Sequence, residues 1–211
     1  MAAALAKFGR IDVLVNNAGY GQLTLFEETA DAHLRAAFET NVFGLTRVTR
    51  AVLPTMRRRK SGHVISISSM AGYVGGAAVY SATKFAVTGF TESLAFELAS
   101  FGIKVTNVAP GYFRTDFLDA TSAQAEPSQK LLDYDEVRQT LGAFVAEANH
   151  KQAGDPEALG RLLVDIAGSE TPPLHLPVGA DAIGAIEQRQ TVLMHEISEW
   201  RDRAANTALA P

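Results

Sequence analysis

The chain has 211 residues, 47% of them hydrophobic and 20% charged, with a formal net charge of -4 and no cysteine. That length suits one domain with a substantial core, the mildly acidic balance offers nucleic acid no electrostatic footprint, and the missing thiols exclude disulfides, thiolate zinc sites and cysteine nucleophiles. No apolar run reaches the roughly 20 residues of a membrane span and the first residues lack a signal-peptide core, so the expectation is a cytoplasmic protein without membrane attachment.

Ala2 to Phe8 reads as the end of a helix stopped by Gly9. Ile11 to Val15 is a short β-branched run closing in Asn16-Asn17-Ala18-Gly19, which predicts a buried parallel strand ending in a turn. From Thr29 to Arg59, Leu34, Phe38, Val42, Leu45, Val48, Val52 and Met56 recur at helical spacing. Asn41, Gly44 and Pro54 interrupt that pattern and place a bend near Asn41. Ser61-Gly62 turns into a second strand, His63 to Ser68. Tyr80 to Ser100 is a helix with Phe85, Phe90, Leu94 and Leu98 on its apolar side, ended by Gly102. Ile103 to Val108 is a third strand, closed by Pro110-Gly111.

The irregular stretch 112–136 reads as a loop on the substrate side, because long loops inside compact domains are usually functional. Val137 to Ala148 and Pro156 to Ala167 read as helices, the second capped by Asp155 with proline at its first position. Leu174 to Val178 can form a final strand, and 180–204 a terminal helix. In that helix Ile183, Ile186, Leu193, Ile197 and Trp200 make a packing stripe for the core or a partner subunit. Strands alternate with helices throughout, without repeats or an interdomain linker. The expected fold class is α/β, a parallel sheet with helices on its faces, in one domain over 1–211.

Four features carry chemistry. Asn16 to Gly19 comes directly after a strand, and taken alone it is only a turn. Asn41 interrupts a helix, and taken alone it is an imperfection. Ser68-Ser69 sits at a strand's carboxyl end, with Tyr80 eleven positions after Ser69 and Lys84 four further on. Residues four apart share a helix face, and ligands of open parallel sheets bind beyond the carboxyl ends of the strands. A strand-end hydroxyl and a Tyr/Lys pair can therefore meet in one cleft, although the pair taken alone reads more readily as a surface tyrosine on a lysine stem. Pro110-Gly111 with Thr115 again stands at a strand's carboxyl end.

Together, "NNAG", "ETNVFG", "ISSMAG", "YSATK" and "NVAPGYFRT" resemble the short-chain dehydrogenase/reductase family, in family order. The tail "PPLHLPVGADAIGAIEQRQ" is similar to bacterial oxidoreductases near the retinol- and hydroxysteroid-dehydrogenase-like members. The resemblance implies a Rossmann-like sheet and NAD(P)-dependent interconversion of an alcohol and a ketone or aldehyde. Tyr80 would be the general acid/base and Lys84 would stabilise its phenolate and bond the nicotinamide ribose. Ser69 would hold the substrate oxygen, and Asn41 a water linking Lys84 to solvent. Asn16, Ala18 and Gly19 would lie along the adenosine side of the cofactor, and Gly111, Phe113 and Thr115 beside the nicotinamide. NAD and NADP are both open. Tyr73, Phe113, Phe117 and Leu118 would wall an apolar pocket for a lipid-like or steroid-like substrate, or else fill core space. The family commonly associates into homo-oligomers through its two long helices, here Thr29 to Arg59 and Tyr80 to Ser100.

Such sheets begin with a strand, a glycine-rich turn and a helix that cradle the pyrophosphate. No such fingerprint precedes Asn16, so the resemblance implies that the first β-α-β-α-β portion is missing, that cofactor affinity is poor and that the Ile11 to Val15 strand is an uncovered edge. The alternative is a chain that is catalytically silent and acts through association of that edge.

Overall fold

A computed structural model describes residues 2–119, 122–124, 126–207 and 209. In chain order the elements are α1 (Ala2–Phe8), β1 (Val13–Asn16), β2 (Gly21–Gln22), α2 (Asp31–Phe38), a π-helical turn (Glu39–Gly44), α3 (Leu45–Arg59), β3 (Gly62–Ile67), α4 (Ala78–Leu98), β4 (Ile103–Pro110), β5 (Ala123–Gln124), α5 (Asp135–Ala148), α6 (Pro156–Gly168), β6 (His175–Val178) and α7 (Ala180–Ala205).

β1, β3, β4 and β6 form one parallel sheet in that order. Successive side chains of a strand point to opposite faces, and the core divides accordingly. Val64 of β3 and Val105 of β4 pack with Val52 and Met56 of α3 and Leu94 and Leu98 of α4. Ile65 and Val108, from the same two strands, pack with Ile166 of α6 on the other face. Helices on both faces explain why these strands are rich in β-branched residues: neither side of the central strands meets water. β1 lies at the sheet edge among the described residues, and its Val15 is 43% exposed.

The bend expected near Asn41 is a π-helical turn between α2 and α3. It re-aims α3. Ala37, Asn41, Leu45, Thr49, Val52 and Met56 are the buried positions, and Val48, read as part of the stripe, is 49% exposed. The apolar stripe of α7 is also only partly realised: Ile186 is buried, whereas Ile183, Ile197 and Trp200 are exposed.

The 112–136 region, of which residues 120, 121 and 125 lie outside the described residues, is not structureless. Its β5 pairs in parallel with β2, a ladder that no periodicity in the sequence signals. Further on it is fastened to Glu28, which is 1% exposed. The Glu28 carboxylate accepts from the Leu131 amide at 2.8 Å and from the Arg138 guanidinium, and the Glu28 carbonyl accepts from the Ser128 amide at 2.8 Å. The hydrogen bond from Arg138, then that from Leu131, hold the Glu28 carboxyl below the usual glutamate range. A carboxyl held low in the folded state adds stability that is present at neutral pH and lost as pH falls through its folded value. Glu28→Gln should therefore melt below wild type at neutral pH, and the gap should close in acid. Melting temperatures of both proteins across a pH series check this.

Candidate active site

Parallel pairing aligns the strand ends. Asn16 is level with Ser66, Ile67 with Val108, and Pro110 with Val178. The turns after β1, β3 and β4 therefore open side by side, and a cavity of about 650 Å³ lies there. Gly19, Ser69, Tyr80, Lys84, Gly111, Phe113 and Thr115 all line it.

Ser69 caps the short turn Met70–Gly72, its Oγ accepting from the Ala71 amide at 3.1 Å. Tyr80 and Ser69 line the cavity together, and the Ser69 hydroxyl favours the ionised form of the Tyr80 phenol. Ser68, next to it, fastens β3 to α4: its Oγ donates to the Lys84 carbonyl at 3.0 Å and pairs with Thr88 Oγ1 at 2.9 Å. That clamp fixes the helix turn carrying Tyr80 and Lys84 against the strand end carrying Ser69. The Tyr80 ring leans on Phe117, with centroids 5.4 Å apart.

Lys84 Nζ lies 5.7 Å from the Tyr80 ring centroid and donates to the Ile67 carbonyl at 3.0 Å. Burial dominates both groups. It pushes the Tyr80 phenol up to about 12, against the opposing effect of the Ser69 hydroxyl, and pushes the Lys84 ammonium down to about 8. At neutral pH the phenol is thus protonated and the lysine still largely charged.

Asn41 is 2% exposed and fully engaged. Its Oδ1 accepts from the Tyr20 amide at 3.0 Å. Its Nδ2 donates to the Tyr20 carbonyl at 3.0 Å and to Thr83 Oγ1 at 3.1 Å. The π turn presents this amide to the chain after β1 and holds Gly19 close, since a Cβ on Gly19 would come 3.1 Å from Asn41 Oδ1 and 3.7 Å from Lys84 Nζ.

The candidates after β1 divide. Gly19 and Asn17 line the cavity, whereas Asn16 and Ala18 do not. The Asn16 side chain instead donates to Thr49 Oγ1 at 2.9 Å, tying β1 to α3. Strand alternation accounts for the exchange: the residue that ends β1 pointing at α3 leaves its neighbour Asn17 pointing away. Of the expected apolar wall, Phe113, Phe117 and Leu118 are in place. Tyr73 is not, because its hydroxyl pairs with His175 Nδ1 at 2.7 Å and accepts from Asn107 at 2.8 Å. Leu141, Phe144 and Val145 of α5 close the wall, and their three-and-four spacing was the one available signal.

Asp181, in the first turn of α7, reaches back to the β4 end, its carboxylate accepting from the Tyr112 amide at 2.7 Å. Gly111 makes room for that contact, because a Cβ there would lie 2.2 Å from the carboxylate and displace it.

The residues present fit a nicotinamide nucleotide. Lys84 is 6% exposed, and its ammonium has one acceptor among the described residues, Ile67, which leaves two of its protons for hydroxyl acceptors. Gly19 keeps the neighbouring wall free of side chain.

The family model for short chain dehydrogenases matches residues 1–126. The chain is 38% identical over 208 residues to Oxidoreductase BOA17 of Botryotinia fuckeliana, covering 96% of this chain and 73% of that protein. It is 37% identical over 172 residues to retinol dehydrogenase 8 of Bos taurus, covering 79% of this chain and 55% of that protein. A short-chain dehydrogenase from Streptomyces avermitilis superposes with a TM-score of 0.87 at 40% identity, over 99% of this chain and 75% of the other. ElxO, solved with NADP bound, gives a TM-score of 0.67 at 26% identity, over 87% of this chain and 71% of the other.

Proposed function

The chain belongs to the short-chain dehydrogenase family, and on that premise we propose that it interconverts an apolar alcohol and its ketone or aldehyde, with Tyr80 as general acid/base. One observation carries this reading: a half-buried phenol, with its ring centroid 5.7 Å from the Lys84 ammonium, lines a cavity at the strand ends together with Ser69.

In reduction, Ser69 and Tyr80 both hydrogen-bond the carbonyl oxygen of the substrate. The nicotinamide cofactor, when bound, supplies the hydride to the carbonyl carbon. Tyr80 gives its proton to the oxygen as negative charge develops there. Burial keeps that proton in place at neutral pH, which favours the acid role. In oxidation the phenolate must be stabilised, and the Lys84 charge does so across one helical turn. Lys84 also holds ribose hydroxyls through its two remaining protons. Gly19 and Asn17, with Asn16 and Ala18 behind them, form the nucleotide side, and Gly111, Phe113 and Thr115 the nicotinamide side. Asn41 fixes the Tyr20 backbone and, through Thr83, the Tyr80 turn, whose carbonyl accepts from Thr83 Oγ1 at 2.7 Å.

The wall of Phe113, Phe117, Leu118 and Phe144 suits a substrate that is apolar around its reacting carbon. Either NADH or NADPH should be oxidised when a panel of apolar ketones and aldehydes is added, followed by the absorbance of the reduced nicotinamide. Absence of consumption with both cofactors across the panel, and of reduction of NAD and NADP by the matching alcohols, would overturn the proposal.

A further inference from the structure

Gln152 is 5% exposed, and its Oε1 has no hydrogen-bond partner among the described residues. A buried unpartnered amide is costly, so its surroundings matter. Gln152 lines the cavity at the strand ends and also a neighbouring one of about 560 Å³. Between the two stand Tyr112 and Phe144, rings edge to face with centroids 5.7 Å apart, which line both as well.

The backbone around Gln152 is fixed from both sides. Its carbonyl accepts from Arg114 Nε at 3.1 Å. Two residues on, the Gly154 amide donates to the Tyr112 carbonyl at 3.1 Å, and the Arg114 amide donates to the Gly154 carbonyl at 2.9 Å. Only glycine fits at 154, because a Cβ would meet the Phe113 ring and the Tyr112 carbonyl at 2.8 Å. This ladder holds the 152–154 segment against the chain after β4 and sets Gln152 in the lining of both cavities.

We infer that Gln152 is a specificity-determining residue that binds a second, neutral polar group of the substrate, a hydroxyl, separated by an apolar span from the carbon that reacts at Tyr80. The substrate then passes the Tyr112–Phe144 pair, with its distal part in the second cavity. A carboxamide accepts through one atom and donates through the other, as a hydroxyl requires. A full charge is disfavoured, since a neutral amide in a buried junction cannot offset its desolvation. This assignment rests on the reading of Tyr80 and Ser69 as the reacting end.

The test uses matched pairs, 2-alkanones and the ω-hydroxy-2-alkanones of the same chain length, over a series of lengths. Binding is measured by titration calorimetry, without turnover, and kcat/KM is measured separately. For wild type, one length of hydroxyketone should bind about tenfold more tightly than its plain partner. Gln152→Met should abolish that preference and leave the plain ketones unchanged or tighter. Equal binding of the pairs at every length overturns the inference with no variant needed. It is equally overturned if Gln152→Met keeps the preference, or if it instead weakens binding of NADH and NADPH. A binding preference that Gln152→Met abolishes, without any turnover by wild type, would support Gln152 as the hydroxyl contact and overturn the dehydrogenase reading, and with it the placing of that hydroxyl relative to a reacting carbon at Tyr80.

Discussion

Tyr80→Phe should lower kcat for ketone reduction by about 10²- to 10⁴-fold, the range over which a positioned proton donor acts, while the protein folds and binds cofactor as before. The substitution keeps the ring that leans on Phe117 and removes only the hydroxyl. Ser69 retains its bond to the Ala71 amide, so the turn that presents it does not collapse. At neutral pH the phenol is uncharged, so the substitution removes only a neutral hydroxyl and its polar contacts, a change of about 1 kcal/mol. A melting curve and a cofactor titration serve as controls. A kcat within a few-fold of wild type would remove Tyr80 from the chemistry.

Lys84→Met should abolish turnover and, at neutral pH, make the protein more stable. Lys84 titrates at about 8 in the folded chain against 10.5 ordinarily, because its ammonium is buried. Between those values the unfolded chain binds a proton that the folded chain does not, so stability rises with pH across that window. Below about pH 8 the whole cost of burying the charge is present. Taken from the interval between 10.5 and about 8, that cost is on the order of 3 kcal/mol, reduced by the hydrogen bond to Ile67 that methionine cannot make. The variant's advantage should shrink as pH climbs toward the ordinary lysine value and vanish above it. Denaturant melts of both proteins at several pH values measure this, and a variant less stable than wild type at neutral pH would contradict it. A residue that costs stability where it sits is kept for its chemistry.

Much of this was readable from local pattern. The β-branched runs, their closing turns and the four-residue step from Tyr80 to Lys84 are short-range signals, and the parallel α/β sheet results from their alternation with helices. Sequence failed where geometry beyond the neighbouring turn decides. Helical spacing selected Val48 for the core, but the π turn ahead of it puts Thr49 there instead. Asn16 has the right chemistry for a ligand, yet strand alternation turns it toward Thr49. Tyr73 is drawn off the cavity wall by Asn107 and His175, both far along the chain. Phe144 was signalled only as one apolar position on a helix face, and Gln152 reaches the cavity from the exit of that helix, where nothing in the local sequence marks it.

The π turn of Glu39–Gly44 also acts as a spacer of fixed residue count. Each α-helical residue rotates the chain by about 100°. Excising one residue from this stretch would tighten the turn and swing Leu45, Thr49, Val52 and Met56 away from the sheet, or else drag Asn41 off the Tyr20 backbone. The two ends of this long helix answer to different masters, packing on one side and the cleft on the other. Its length between them is consequently the dimension in which drift by insertion or deletion is least tolerable.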